Sequence, residues 1–153
     1  MVLKSGNVSG IGAFIFLALL LASSIGCPQS TDSLPADVVL NNKGIQYAKK
    51  GMFDEAIAEY TKAIQINPNA SFTYINRGNA YYSKGSVEQA ISDFGKAIEI
   101  DENALAYYSR SWVYYNEGQY DKSWEDLHRA RELGFPADPK FIRMLQDASG
   151  RDR

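Results

Sequence analysis

The chain has little of what catalysis and metal binding draw on. Among its 153 residues there is one cysteine, Cys27, and one histidine, His128. A lone cysteine excludes an internal disulfide. No second histidine is present to build a zinc site with His128, so neither a metal nor any other cofactor is expected. Basic residues are not in excess: 16 Lys and Arg face 18 Asp and Glu. With nothing to spare for phosphates, the chain is not expected to bind nucleic acid. Long apolar runs are also scarce. The one uninterrupted run, "IGAFIFLALLLA" at 11–22, is short of the roughly 20 residues that a spanning helix needs. The glycines of "GNVSGIG" just before it precede no strand–helix unit and do not make a phosphate loop.

What is present falls into two materials. Lys4, then the apolar run, then the small and polar "SSIGCPQS" follow the order of a secretory signal peptide over 1–26. "SSIGC" resembles the lipobox of bacterial lipoproteins, with Ser24 where Leu is commoner. That resemblance implies a diacylglycerol on the Cys27 sulfur and Cys27 as the mature N-terminus. Cleavage near Ala22–Ser24 by the ordinary signal peptidase, or an uncleaved anchor, are the alternatives. Lipidation implies a cell-envelope protein facing the periplasm or the exterior, held by its lipid. Cys27 and "PQSTDSLPA" (27–36) then form a flexible tether, reaching at most about 30 Å when extended.

From residue 37 onward the sequence repeats itself. "YAKKGMFDEAIAEYTKAIQI" starts at Tyr47, "YYSKGSVEQAISDFGKAIEI" at Tyr81, and a looser copy, "YYNEGQYDKSWEDLHRARELG", at Tyr114. In each copy apolar residues recur at helical spacing on both sides of a glycine, which predicts two helices joined by a tight turn. In the first copy Gly51 breaks the chain, Asp54 is the expected N-cap of the second helix, and Pro68 ends it. A glycine inside a helix costs about 1 kcal/mol against alanine, so Gly44 and Gly78 need a reason. With Ser111 in the third copy, they are expected to face Ala56, Ala90 and Ser123, small against small, while Tyr47, Tyr81 and Tyr114 cover the seam. Ala63, Ala97 and Ala130 recur likewise. The fold class is all-α.

This pattern resembles the tetratricopeptide repeat, a helix–turn–helix unit that stacks into a solenoid, over repeats of about 37–70, 71–103 and 104–136. The step from second to third copy is one residue short, and the loss falls in the link. A capping helix is expected over 138–148, with Asp138 as N-cap and Pro139 in its first turn, closing a domain of 37–148. A disordered tail (149–153) follows.

No nucleophile–base pair is evident, His128 reads as a solvated surface residue, and Asp54–Glu55 and Glu125–Asp126 read as helix-start or exposed-face carboxylates. The chain is therefore expected to be no enzyme and to have no small-molecule substrate. The resemblance instead implies a concave groove that takes an unidentified protein or peptide. Its positions fall on Asn42, Ile45 and Lys49, on Ile75, Asn76, Asn79 and Tyr82, and on Tyr108, Trp112, Tyr115 and Asn116. Trp112 is the leading candidate, and Tyr82 or Tyr108 could equally be core. The variant of the family that clamps a terminal carboxylate uses two Lys, two Asn and an Arg. Here only Asn76 matches, with Asn41, Ile45, Leu105 and Ser109 elsewhere. The competing expectation is an assembly subunit docked permanently in an envelope complex or in a homo-oligomer.

Overall fold

A computed structural model describes residues 34–151. The signal-peptide and lipidation readings, Cys27 among them, lie outside the described residues. Among the described residues seven helices follow one another: α1 (Ala36–Lys49), α2 (Phe53–Ile66), α3 (Ser71–Ser83), α4 (Val87–Ile100), α5 (Ala104–Asn116), α6 (Tyr120–Glu132) and α7 (Pro139–Ser149). They pack in pairs, α1 with α2, α3 with α4 and α5 with α6, and each pair stacks on the next.

One device makes all three hairpin turns. Gly51, Gly85 and Gly118 sit at φ of +74°, +82° and +71°, a region costly for any residue with a side chain. The next residue then reaches back to a carbonyl five positions earlier: Met52 to Tyr47, Ser86 to Tyr81, Gln119 to Tyr114. This is the bond pattern that closes a helix on a left-handed glycine. Because the turn is so short, α2 starts at Phe53 on a Met52 cap that offers no side-chain bond. Asp54 is therefore not the N-cap that the sequence suggested. It lies in the first turn, where its carboxylate faces the positive helix end and pairs with Lys84 of the second hairpin.

The helical glycines answer to rings, which revises the small-against-small expectation. A Cβ on Gly44 would stand 2.5 Å from Cε1 of Tyr60, and one on Gly78 would stand 2.9 Å from Cε1 of Phe94. Each glycine is the seat of an aromatic side chain from the opposite helix. In the third hairpin the pair becomes Ser111 and Leu127, both fully buried. There small residues meet across the seam, Ser123 Oγ donating to the Ser111 carbonyl at 2.8 Å. Burial of the Tyr60 ring pushes its phenol up to about 12.

Directly before each seat stands a cation, and directly before its occupant, Tyr60, Phe94 or Leu127, a carboxylate. Lys43 meets Glu59 at 3.1 Å; Arg77 holds both oxygens of Asp93 at 2.8 Å; Arg110 holds both oxygens of Asp126 at 2.7 and 2.8 Å. Fork-on-carboxylate pairs of this kind fix orientation as well as adding energy. Asp126 was expected on an exposed face, yet it is only 4% exposed. Burial raises its carboxyl above the ordinary range, and the bond from Arg110 opposes that rise. The same bond holds the Arg110 guanidinium above its usual value.

At the C-terminal end Asp138 accepts from Lys140 N–H at 2.8 Å and Pro139 opens α7, as the sequence indicates. The helix runs on through Ser149, which accepts from Trp124 Nε1 at 3.0 Å, and Arg151 bonds Asp121 at 2.7 Å. Ser149 is thus the last residue of α7, one position beyond the bound expected from the sequence.

Candidate functional site

The first helices of neighbouring hairpins, α1, α3 and α5, approach one another more closely than the second helices do. The stack therefore curves, with these three helices on its inner side. On α3 the buried residues are Ser71, Thr73, Tyr74, Ile75, Gly78 and Ala80. What is left is a stripe at helical spacing: Phe72, Asn76, Asn79 and Ser83. The matching stripe on α1 is Val38, Asn42, Ile45 and Lys49, and on α5 it is Leu105, Ser109, Trp112 and Asn116.

Most of the expected groove residues fall on this surface. Asn42, Lys49, Asn79 and Asn116 are exposed, and Ile45, Asn76 and Tyr82 are half-buried. Asn76 Nδ2 donates to Asn41 Oδ1 at 3.0 Å, bridging the first two hairpins, and Asn116 Nδ2 bonds the Trp112 carbonyl at 2.8 Å. Tyr82 lies against the central core. Ile75 does not line the groove: at 1% exposure it fills the core beside Phe94.

The aromatic side chains of the third hairpin have another occupant. Trp112 stacks on Phe141 of α7 with ring centroids 3.9 Å apart and 17° between planes. Tyr115 and Tyr108 meet the same ring edge-on at 5.6 and 5.8 Å, and Tyr108 also lies 4.5 Å from Phe135. Trp112 of the α5 stripe, with Tyr108 and Tyr115 beside it, is thus the floor on which the capping helix sits. Phe72, by contrast, was not singled out from the sequence, and it is 60% exposed on the inner stripe of α3. Its spacing of four from Asn76 was the signal that could have found it.

The groove stripes hold no carboxylate and one cation, Lys49. Among the described residues no group of three His, Cys, Asp or Glu side chains could hold a metal ion. His128 lies on the outside of α6, its ring 5.5 Å from Trp124.

The profile for the tetratricopeptide repeat matches residues 38–70 and 71–103. Among solved structures, the first such domain of Spaghetti (RPAP3) bound to the HSP90 peptide SRMEEVD is 28% identical, with a TM-score of 0.69 over 75% of this chain and 91% of that one. The Arabidopsis OM64 domain is 27% identical, with a TM-score of 0.69 over 75% and 95%. The TPR2B domain of yeast Sti1, in a complex with pHsp70, is 27% identical, with a TM-score of 0.68 over 77% and 98%. No curated protein matches the chain. With two repeats matched and a third hairpin built on the same turn, seat and ion pair, the described residues fold as tetratricopeptide helix–turn–helix repeats, three of them closed by a capping helix.

Proposed function

We propose that the protein is a non-catalytic scaffold whose inner groove takes an extended, uncharged peptide segment of a partner protein, close to a membrane surface. The exposed Phe72 beside Asn76 and Asn79 carries this reading. A ring open to water is an anchor for an apolar side chain, and amides beside it can both donate to and accept from a peptide backbone. Two of the solved relatives are complexes with HSP90 or Hsp70 partners, which supports peptide capture in a groove of this shape. The mode of capture differs. Asn41, Ile45, Leu105 and Ser109 stand where the carboxylate-clamping variant places the other members of its set, so a free C-terminus meets no clamp of cations at those positions.

Peptides with amidated C-termini, screened against residues 34–151, provide the test. Phe72→Ala is expected to weaken the best binder about tenfold or more while leaving helicity unchanged. Equal binding by wild type and variant, or tighter binding of SRMEEVD as free acid than as amide, would refute the reading.

The membrane part rests on the sequence of 1–33 alone. Leu34 follows Cys27 by seven residues, so a lipid on Cys27 would hold the first repeat within about 25 Å of the bilayer. Cys27→Ala is expected to move the full-length protein from the membrane to the soluble fraction. Continued fractionation with membranes would assign anchoring to the apolar segment instead.

A further inference from the structure

The side of the stack away from the groove carries a second opening, built on the ion pair of the third repeat. In the second repeat every guanidinium nitrogen of Arg77 is engaged: Nε and Nη2 with Asp93, and Nη1 with Thr61 Oγ1 of the preceding hairpin at 3.1 Å. Arg110 repeats the first two bonds with Asp126 but not the third, because Gly95 stands where Thr61 stands one repeat earlier. Arg110 Nη1 has no hydrogen-bond partner among the described residues. A Cβ placed on Gly95 would lie 3.6 Å from it and touch nothing else, so the gap is open rather than crowded.

Arg110 also lines a cavity of about 620 Å³, together with Tyr107, Tyr114, Lys122, Glu125 and Arg129 among others; the equivalent hollow at Arg77 is about 420 Å³. Arg110 lies against the rings of Tyr107 and Tyr114, 5.8 Å from each centroid. Lys122 sits 5.4 Å from the centroid of Tyr114 and uses one of its three N–H groups on Gln119 Oε1 at 2.8 Å. Two cations with donors to spare thus flank one tyrosine. Asp126 and Glu132 are already paired with Arg110 and Arg129, and Glu125 is the carboxylate left over. With charges so nearly balanced, a single carboxylate fits better than a phosphate dianion.

We propose that this slot is a second binding site, which accepts one carboxylate on Arg110 Nη1 and Lys122. The carboxylate could come from an acidic side chain of a partner or from a free small acid. Gly95→Thr tests it without endangering the fold, since a threonine there supplies the hydroxyl that Thr61 gives to Arg77 and replaces a glycine inside a helix. The probes are acetate, N-acetyl-glutamic acid amide and N-acetyl-glutamine amide, titrated into residues 34–151 and followed by NMR of the arginine side chains.

Both acids are expected to shift the Arg110 signals saturably, and Gly95→Thr to weaken them about tenfold while raising the melting temperature. A glutamate probe clearly tighter than acetate assigns the site to a partner side chain; equal affinities assign it to a free acid. The proposal is overturned if Arg110 does not respond, if the glutamine probe matches the glutamate probe, or if Gly95→Thr binds as well as wild type.

Discussion

Gly78→Leu is expected to remove about 3 kcal/mol or more of stability, the largest loss for any substitution within a single hairpin. A Cβ at this position already stands 2.9 Å from the Phe94 ring, and the rest of a leucine has to enter space that the ring fills. Phe94 is fully buried against Ile75, Ala90, Ala97 and Val113, so it has nowhere to retreat. The position within the stack enlarges the effect. Repeats hold one another by nearest-neighbour contacts, and the middle hairpin supports both ends. Gly44 has the tighter approach, 2.5 Å to Tyr60, but a failure there frees only the first hairpin. Alanine at 78 should do less harm than leucine, because its gain in helix propensity of about 1 kcal/mol offsets part of the clash. The third repeat suggests the rescue. Ser111 with Leu127 is a working version of the same pair, so Gly78→Ser with Phe94→Leu should be more stable than Gly78→Leu. Denaturant melts followed by circular dichroism decide the matter. A Gly78→Leu variant as stable as wild type would mean that the ring does not sit over the glycine.

The hairpins were legible in the sequence because two signals coincide, apolar residues at helical spacing and a glycine at the same place in each copy. Gly51, Gly85 and Gly118 end their helices with positive φ, as breakers should. The start of α2 was less legible. Asp54 is a good capping residue by type, but the turn is so short that the helix has already begun at Phe53. The helical glycines were seen to need a partner, yet periodicity cannot say whether an alanine one turn away or an aromatic further along will lie opposite. The ion pairs were missed because Arg77, Asp93, Arg110 and Asp126 each look like ordinary surface charge. Their signal lies in register: a cation before each seat and a carboxylate before the side chain that fills it, three times over. Half of the inner stripe was readable, since Asn42, Asn79 and Asn116 lie exposed where spacing puts them. The other half was not. That Phe141 lands on Trp112 depends on how α7 crosses α5, which no local pattern encodes.

That landing yields the second large effect. Phe141 is 0% exposed and is held by Trp112, Tyr115 and Tyr108 together, so Phe141→Ala removes the ring that these three side chains share. Truncating a buried phenylalanine costs about 3–5 kcal/mol. Here the remaining hold of α7 is Leu145 with Ile142, one bond from Trp124 to Ser149 and the exposed Arg151–Asp121 pair. Such a loss should undock the helix rather than leave a cavity beneath it. Trp112 then faces water, and tryptophan emission should shift to the red well before the remaining helices melt. Phe141→Leu keeps most of the apolar volume and should hold α7 in place, which separates loss of the cap from loss of the stacked ring. An undocked cap would also change the groove, because Trp112 would then stand uncovered on the same inner surface as Phe72, Asn76 and Asn79. The Phe141→Ala variant is therefore expected to bind apolar peptides at least as tightly as wild type despite its lower stability. Unchanged emission in Phe141→Ala would show that Trp112 is not seated under α7, and the groove would then include the third repeat from the outset.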